Sequence, residues 1–168
     1  MFQGEQILAA LARHEVAYVL IGGFAAVVHG SPFLTADVDI TPAADRANLS
    51  RLSAALTDLD ARVRAEATEP LPFGPDAETL AAAGVWNLTT RFGDLDISLT
   101  PSGTSGYDDL RRDAVQIELH GTRVLLASLA DIVRSKEAAG RGKGRRALPV
   151  LRELLARETR ARGREPDR

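Results

Sequence analysis

Apolar residues fall at two different periods along this chain, and the switches between them mark its elements. From Glu5 to His14, Ile7, Leu8, Leu11 and Ala12 recur at intervals of three and four, which predicts an amphipathic helix. Ala17 to Ile21 is a short continuous apolar run that stops at Gly22-Gly23 and reads as a buried strand. Phe24 to His29 then reads as a short helix, stopped by Gly30 and Pro32. From Thr35 to Thr41 the period changes to two, with Asp37 and Asp39 alternating with Val38 and Ile40. This predicts a half-buried strand that Pro42 ends. Asp45 to Leu59 returns to the helical period through Leu49, Leu52, Leu56 and Leu59.

The second half repeats these patterns in shorter pieces. Ala61 to Ala65 alternates weakly, as an edge strand would, and the prolines and glycine of Glu69 to Pro75 predict a loop. Asp76 caps a short helix through Ala83. Trp86 to Leu99 reads as two strands turning near Phe92-Gly93, the second of which again alternates acid with apolar residue: Asp94-Leu95-Asp96-Ile97. Pro101 to Gly106 is a loop, Tyr107 to Arg112 a short helix, and Val115 to His120 and Val124 to Leu126 are short strands around Gly121. Ser128 caps a helix, with Asp131 completing a variant of the reciprocal cap. A glycine-broken basic segment, Gly140 to Arg146, precedes a last helix from Leu148 to Ala156, and from Arg157 onward the chain is charged and frayed.

Composition narrows the class. At 168 residues, with 45% hydrophobic and 26% charged residues, the chain is long enough for one sizeable core and ordinary for a globular protein. The expected organisation is one domain over 1–158 and a charged tail over 159–168. With no cysteine, disulfides, thiolate metal sites and thiol nucleophiles are excluded. A net charge of −2 gives no global pull toward nucleic acid. The N-terminus lacks a basic segment followed by an apolar run, and no apolar stretch approaches the ~18 residues that span a bilayer, so a cytoplasmic protein without membrane partners is expected.

The chemistry lies in the acids. Residues two apart in a strand share a face and lie roughly 6.6–6.8 Å apart along the chain, so Asp37 and Asp39 present both carboxylates on one side. Acids are depleted in strands, and two on one face repel unless a cation intervenes. If Asp96 joins them, the all-oxygen donor set favours Mg²⁺ or Mn²⁺ over zinc. Gly22-Gly23, where a strand feeds a helix, lets the backbone approach an anion closely, and the N–H groups of the helix start point outward as donors.

The run GGFAAVVHGSPFLTADVDI, with the later GDLDISL, resembles the signature of the DNA polymerase β-like minimal nucleotidyltransferase superfamily. Small bacterial members of that superfamily include antibiotic nucleotidyltransferases and toxins of toxin–antitoxin pairs. The resemblance spans about Tyr18 to Lys143. It implies an α/β (α+β) fold, a mixed and mostly antiparallel sheet flanked by helices. It also implies transfer of a nucleoside monophosphate from an NTP such as ATP to an acceptor hydroxyl. Gly22 and Gly23 would hold phosphates, Asp37 and Asp39 would bind the metals, and Asp96, flanked by Leu95 and Ile97 and preferred over the alternative Asp94, would be the third carboxylate, assisting deprotonation of the acceptor. Lys136, Arg141 and Lys143 match a basic stretch placed near the triphosphate. Phe33 stands where small members often carry arginine, which leaves that phosphate contact to another cation. The basic segment from Lys136 to Arg146 favours RNA, such as a tRNA 3′ end, or protein as acceptor, with an antitoxin as a further partner. The alternatives are an antibiotic acceptor or a catalytically silent binding partner that keeps the fold.

Overall fold

The alternation over Asp37 to Ile40 sets the geometry of the sheet. Val38 and Ile40 are fully buried while Asp37 and Asp39 are half-buried, so one face of this strand meets the core and the other presents acids. The computed structural model describes residues 1–64, 71–72, 76–140 and 142–164. Its strands, in chain order, are β1 (Tyr18–Ile21), β2 (Asp37–Pro42), β3 (Arg62–Val63), β4 (Leu71–Pro72), β5 (Val85–Thr90), β6 (Gly93–Ser98), β7 (Val115–Leu119) and β8 (Thr122–Leu126). They form an eight-stranded sheet in the order β4-β3-β5-β6-β2-β1-β8-β7. The β1–β8 and β2–β6 ladders are parallel and the other five antiparallel, which is the mixed, mostly antiparallel sheet expected.

The helices are α1 (Gly4–Arg13), α2 (Gly22–Val28), α3 (Arg46–Asp58), α4 (Ala77–Ala83), α5 (Tyr107–Asp113), α6 (Leu129–Ala139) and α7 (Gly142–Arg162). Ile7, Leu8 and Leu11 of α1, Leu49, Leu52 and Leu56 of α3 and Leu80 of α4 join Val38, Ile40, Leu88, Leu95 and Ile97 in the core. Each such side chain contributes about 1.5–3 kcal/mol through burial. In β1, Tyr18, Val19 and Leu20 are all buried, so this central strand is covered on both faces and reads as an unbroken apolar run. No helix among the described residues is long and apolar enough to cross a membrane.

A buried polar residue ties α3 to the strands that matter. Asn48 is 0% exposed. Its side-chain amide donates to the carbonyls of Ala17 and Ala43, both at 2.8 Å, and its Oδ1 accepts from the Ala17 N–H at 2.7 Å. One side chain thus clamps the start of β1 to the end of β2. Asp45 caps α3 by accepting from the Asn48 N–H at 3.0 Å, and Asp76 caps α4 through the Thr79 N–H at 2.8 Å.

Several boundaries differ from the sequence expectation. β2 begins at Asp37 rather than Thr35 and ends at Pro42 as expected, opposite Tyr18. Gly22 and Gly23 lie inside the first turn of α2 rather than before it. β3 is not an edge: β4 pairs along its outer side, within a stretch expected to be loop, while Glu69, Pro70 and Phe73 to Pro75 lie outside the described residues. Ser128 caps α6 as expected, accepting from the Asp131 N–H at 3.1 Å, but Asp131 turns its carboxylate to Arg134 at 3.0 Å. The last helix starts at Gly142, inside the basic segment, and runs on to Arg162. Ion pairs four residues apart, Glu153 with Arg157 and Glu158 with Arg162, support its charged end.

Candidate active site

The parallel pairing of β2 with β6 places Asp37 opposite Asp94 and Asp39 opposite Asp96, so the two alternating acid patterns share one face of the sheet in register. Val38 and Leu95, and Ile40 and Ile97, pair on the core face beneath them. Asp37, Asp39 and Asp96 each offer a carboxylate oxygen within 4.8 Å of the others. Asp94 is outside this group. Of the two β6 acids, Asp96 is the one within this group.

Asp39 sits deepest. Burial pushes its pKa up to about 7, the charges of Asp37 and Asp96 push the same way, and Lys136 and Arg64 oppose them. Burial also raises Asp96, to about 6, against the pull of the Arg64 guanidinium and with a further push from Asp37. Carboxylates raised in this way are held at a cost that an inserted cation would relieve. The all-oxygen donor set, its convergence and these shifted acids fit a hard divalent ion such as Mg²⁺ or Mn²⁺.

The glycine pair forms the adjoining wall. Gly22 has φ +70°, and a Cβ there would lie 2.6 Å from the Asp39 Cγ; one on Gly23 would lie 3.1 Å from the Thr35 hydroxyl. Thr35 in turn donates to Asp37 Oδ1 at 2.9 Å. Close approach to the acids thus accounts for Gly22 directly, and no side chain caps the start of α2. Lys136, in the last turn of α6, is close enough for its charge to be felt at Asp39. Lys143 lies in the first turn of α7, its side chain outside what is described, and Arg141 is outside the described residues.

Arg64 is a residue the sequence reading did not find. Leaving the end of β3, it crosses β5 to pair with Asp94 Oδ2 at 2.6 Å and Asp96 Oδ1 at 2.7 Å. Its partners lie some thirty positions away, and only the strand order brings them together. Other candidates take structural roles. His29 Nε2 meets the Ala127 carbonyl at 2.8 Å, tying α2 to the approach to α6. Ser31 is buried and its hydroxyl accepts from the Phe33 N–H at 3.4 Å. Tyr107 lines a cleft with Ala17 and Ala43, at the end of β1 and β2 away from Asp39. Phe33 is 45% exposed on the loop before β2.

The same architecture recurs among solved structures. A protein of Thermotoga maritima assigned as a nucleotidyltransferase superposes with a TM-score of 0.54 at 18% identity, covering 94% of this chain and 96% of its own. The lincosamide antibiotic adenylyltransferase LnuA, solved with lincomycin, gives 0.58 at 15% identity, over 89% of this chain and 94% of its own. ANT(2″)-Ia in complex with adenylyl-2″-tobramycin gives 0.58 at 18% identity, over 92% and 88%. The chain has the nucleotidyltransferase fold. Sequence comparison finds no matching family model and no matching curated protein. In this nucleotidyltransferase fold the three converging acids lie on two neighbouring parallel strands, with the glycine turn against them.

Proposed function

We propose that the protein is a divalent-metal-dependent nucleotidyltransferase that moves a nucleoside monophosphate from an NTP to an acceptor hydroxyl and releases pyrophosphate. The observation that carries this reading is the convergence of Asp37, Asp39 and Asp96 within 4.8 Å, beside a glycine turn, on a nucleotidyltransferase fold. The three carboxylates would hold Mg²⁺ or Mn²⁺, which when bound supplies positive charge to the triphosphate and to the oxygens at the α-phosphorus. Gly22 and Gly23, at the start of α2 beside Asp39 and Thr35, are assigned to hold phosphate through their backbone N–H groups. Lys136 adds a cation beside the acids, with Arg141 and Lys143 assigned the same task further along the chain. Asp96, at the edge of the cluster nearest β5, is the group assigned to take the proton of the acceptor hydroxyl. As in phosphoryl transfer generally, positioning and fixed charge carry the rate.

For the acceptor, RNA or protein is favoured. Arg145 and Arg146 are exposed on α7, continuing the basic segment beyond what a triphosphate requires. A toxin role, with an antitoxin as partner, belongs to this reading. A second reading, an antibiotic hydroxyl, is supported by LnuA and ANT(2″)-Ia, whose structures hold lincomycin and adenylyl-2″-tobramycin. A catalytically silent partner is disfavoured by the intact trio of acids.

Incubation with each α-labelled NTP and Mg²⁺ or Mn²⁺, with cellular RNA, cellular protein, an aminoglycoside or a lincosamide as acceptor, separates these readings. Label is expected in RNA or protein and lost in Asp39→Asn. Label in the drug alone selects the second reading. NTP binding without transfer to any acceptor selects the silent partner.

A further inference from the structure

Arg64 uses both terminal nitrogens of its guanidinium, one on Asp94 and one on Asp96, at 2.6 and 2.7 Å. The two carboxylates occupy successive same-face positions of β6. A planar fork spans such a pair as a lysine ammonium cannot. The arginine is itself fixed at its root, its backbone N–H donating to the Asn87 carbonyl of β5 at 3.0 Å. Asn87 stands opposite Asp96 in the β5–β6 ladder, so the Arg64 side chain reaches over β5 onto the acid face. Asp94 is outside the three-acid group and is engaged by Arg64 instead.

We infer that Arg64, anchored by Asp94, is a positioning residue that holds the Asp96 carboxylate in line with Asp37 and Asp39. This rests on the metal-site reading given above. Asp94 then has a defined role as the counter-anchor of Arg64, and no metal ligand is assigned to it. Groups that hydrogen-bond a metal-binding carboxylate set its orientation, and their loss typically costs about 10–100-fold in metal affinity.

The test is Mn²⁺ affinity, measured by calorimetric titration of the metal-free, full-length protein, with circular dichroism confirming that each variant is folded. Arg64→Lys keeps the charge and removes the fork, so Mn²⁺ binding is expected to weaken about 10-fold or more. Asp94→Asn is expected to weaken it as well. Because the two act as one unit, the double variant Arg64→Lys/Asp94→Asn is expected to be at least about 5-fold tighter than the product of the single losses predicts, the signature of coupled neighbours. An Arg64→Lys affinity within twofold of wild type, or losses that simply multiply, overturns the inference while leaving the metal site intact. If Arg64→Lys fails to fold, Asp94→Asn alone decides, and an unchanged affinity there overturns the anchor. If the wild type binds no Mn²⁺, with or without a non-hydrolysable NTP analogue, the metal-site reading falls and this inference with it.

Discussion

Gly22→Ala would place a methyl group against the acid that lies deepest in the site. The added Cβ meets Asp39 Cγ at 2.6 Å and Asp39 Cβ at 2.7 Å, with the backbone at φ +70°. Gly84 has almost the same backbone, φ +72°, and nothing within 4 Å of where its Cβ would stand. The two substitutions therefore share the left-handed backbone penalty, roughly 1–2 kcal/mol for a residue with a side chain, and the same entropy change in the unfolded chain. They differ in the clash alone. Forcing extra volume into a packed site costs about 1–3 kcal/mol, and Asp39 has little room to yield, lying between Gly22 and the carboxylates of Asp37 and Asp96. Urea unfolding followed by Trp86 fluorescence should show Gly22→Ala less stable than Gly84→Ala by about 1–3 kcal/mol, with unchanged m-values. Gly22→Ala should also bind Mn²⁺ more weakly, and Gly84→Ala as wild type. Equal stability losses at the two positions, or undisturbed Mn²⁺ binding in Gly22→Ala, would refute the account of why glycine occupies position 22.

Further outcomes follow from individual residues. In the metal-free protein Asp39 and Asp96 have folded values of about 7 and 6, above the unfolded value near 3.9. Between those limits the native state holds more protons than the unfolded one, so stability is highest below about pH 4 for these groups and is lost as pH rises through 6 to 7. For Asp39 the loss is at most about 4 kcal/mol; chemical denaturation in EDTA should be easier at pH 7.5 than at pH 5, a slope that Asp39→Asn flattens and Mn²⁺ suppresses. Asn48→Ala strands the Ala17 N–H and removes the Asn48 amide from the Ala43 carbonyl, each at about 1–3 kcal/mol, while the Ala17 carbonyl keeps the Ala43 N–H at 3.0 Å, so a loss on the order of 2–5 kcal/mol is expected in urea unfolding. Asp45→Ala removes only the cap of α3 and should cost about 1 kcal/mol in the same assay.

What the sequence revealed, and what it hid, divides along physical lines. The acid strands were legible because a period of two with one apolar face is a local property: Val38 and Ile40 had to be buried, and that fixed where Asp37 and Asp39 point. The helix caps at Asp45, Asp76 and Ser128 are equally local. Which of Asp94 and Asp96 joins the cluster depends on the parallel register of β2 with β6, and a pairing across more than fifty positions leaves no mark in either strand alone. Arg64 is hidden for a related reason, since it stands in a short, weakly alternating stretch and its partners lie two strands over. Asn48 reads as one polar residue in an amphipathic helix until β1 and β2 close over it. The length of α7 was underestimated because glycine and charge weigh against helix locally, whereas packing of Ala147, Leu148 and Leu151 into the core favours it.

The central claim, that these three acids serve transfer of a nucleoside monophosphate, is tested most directly by comparing α-labelled with γ-labelled NTP in the presence of Mn²⁺ and the acceptor fraction that takes label. The account predicts that the α-label enters the acceptor, that the γ-label leaves as pyrophosphate, and that Asp39→Asn abolishes incorporation while remaining folded. Incorporation of the γ-label, or α-label transfer undiminished in Asp39→Asn, would contradict it.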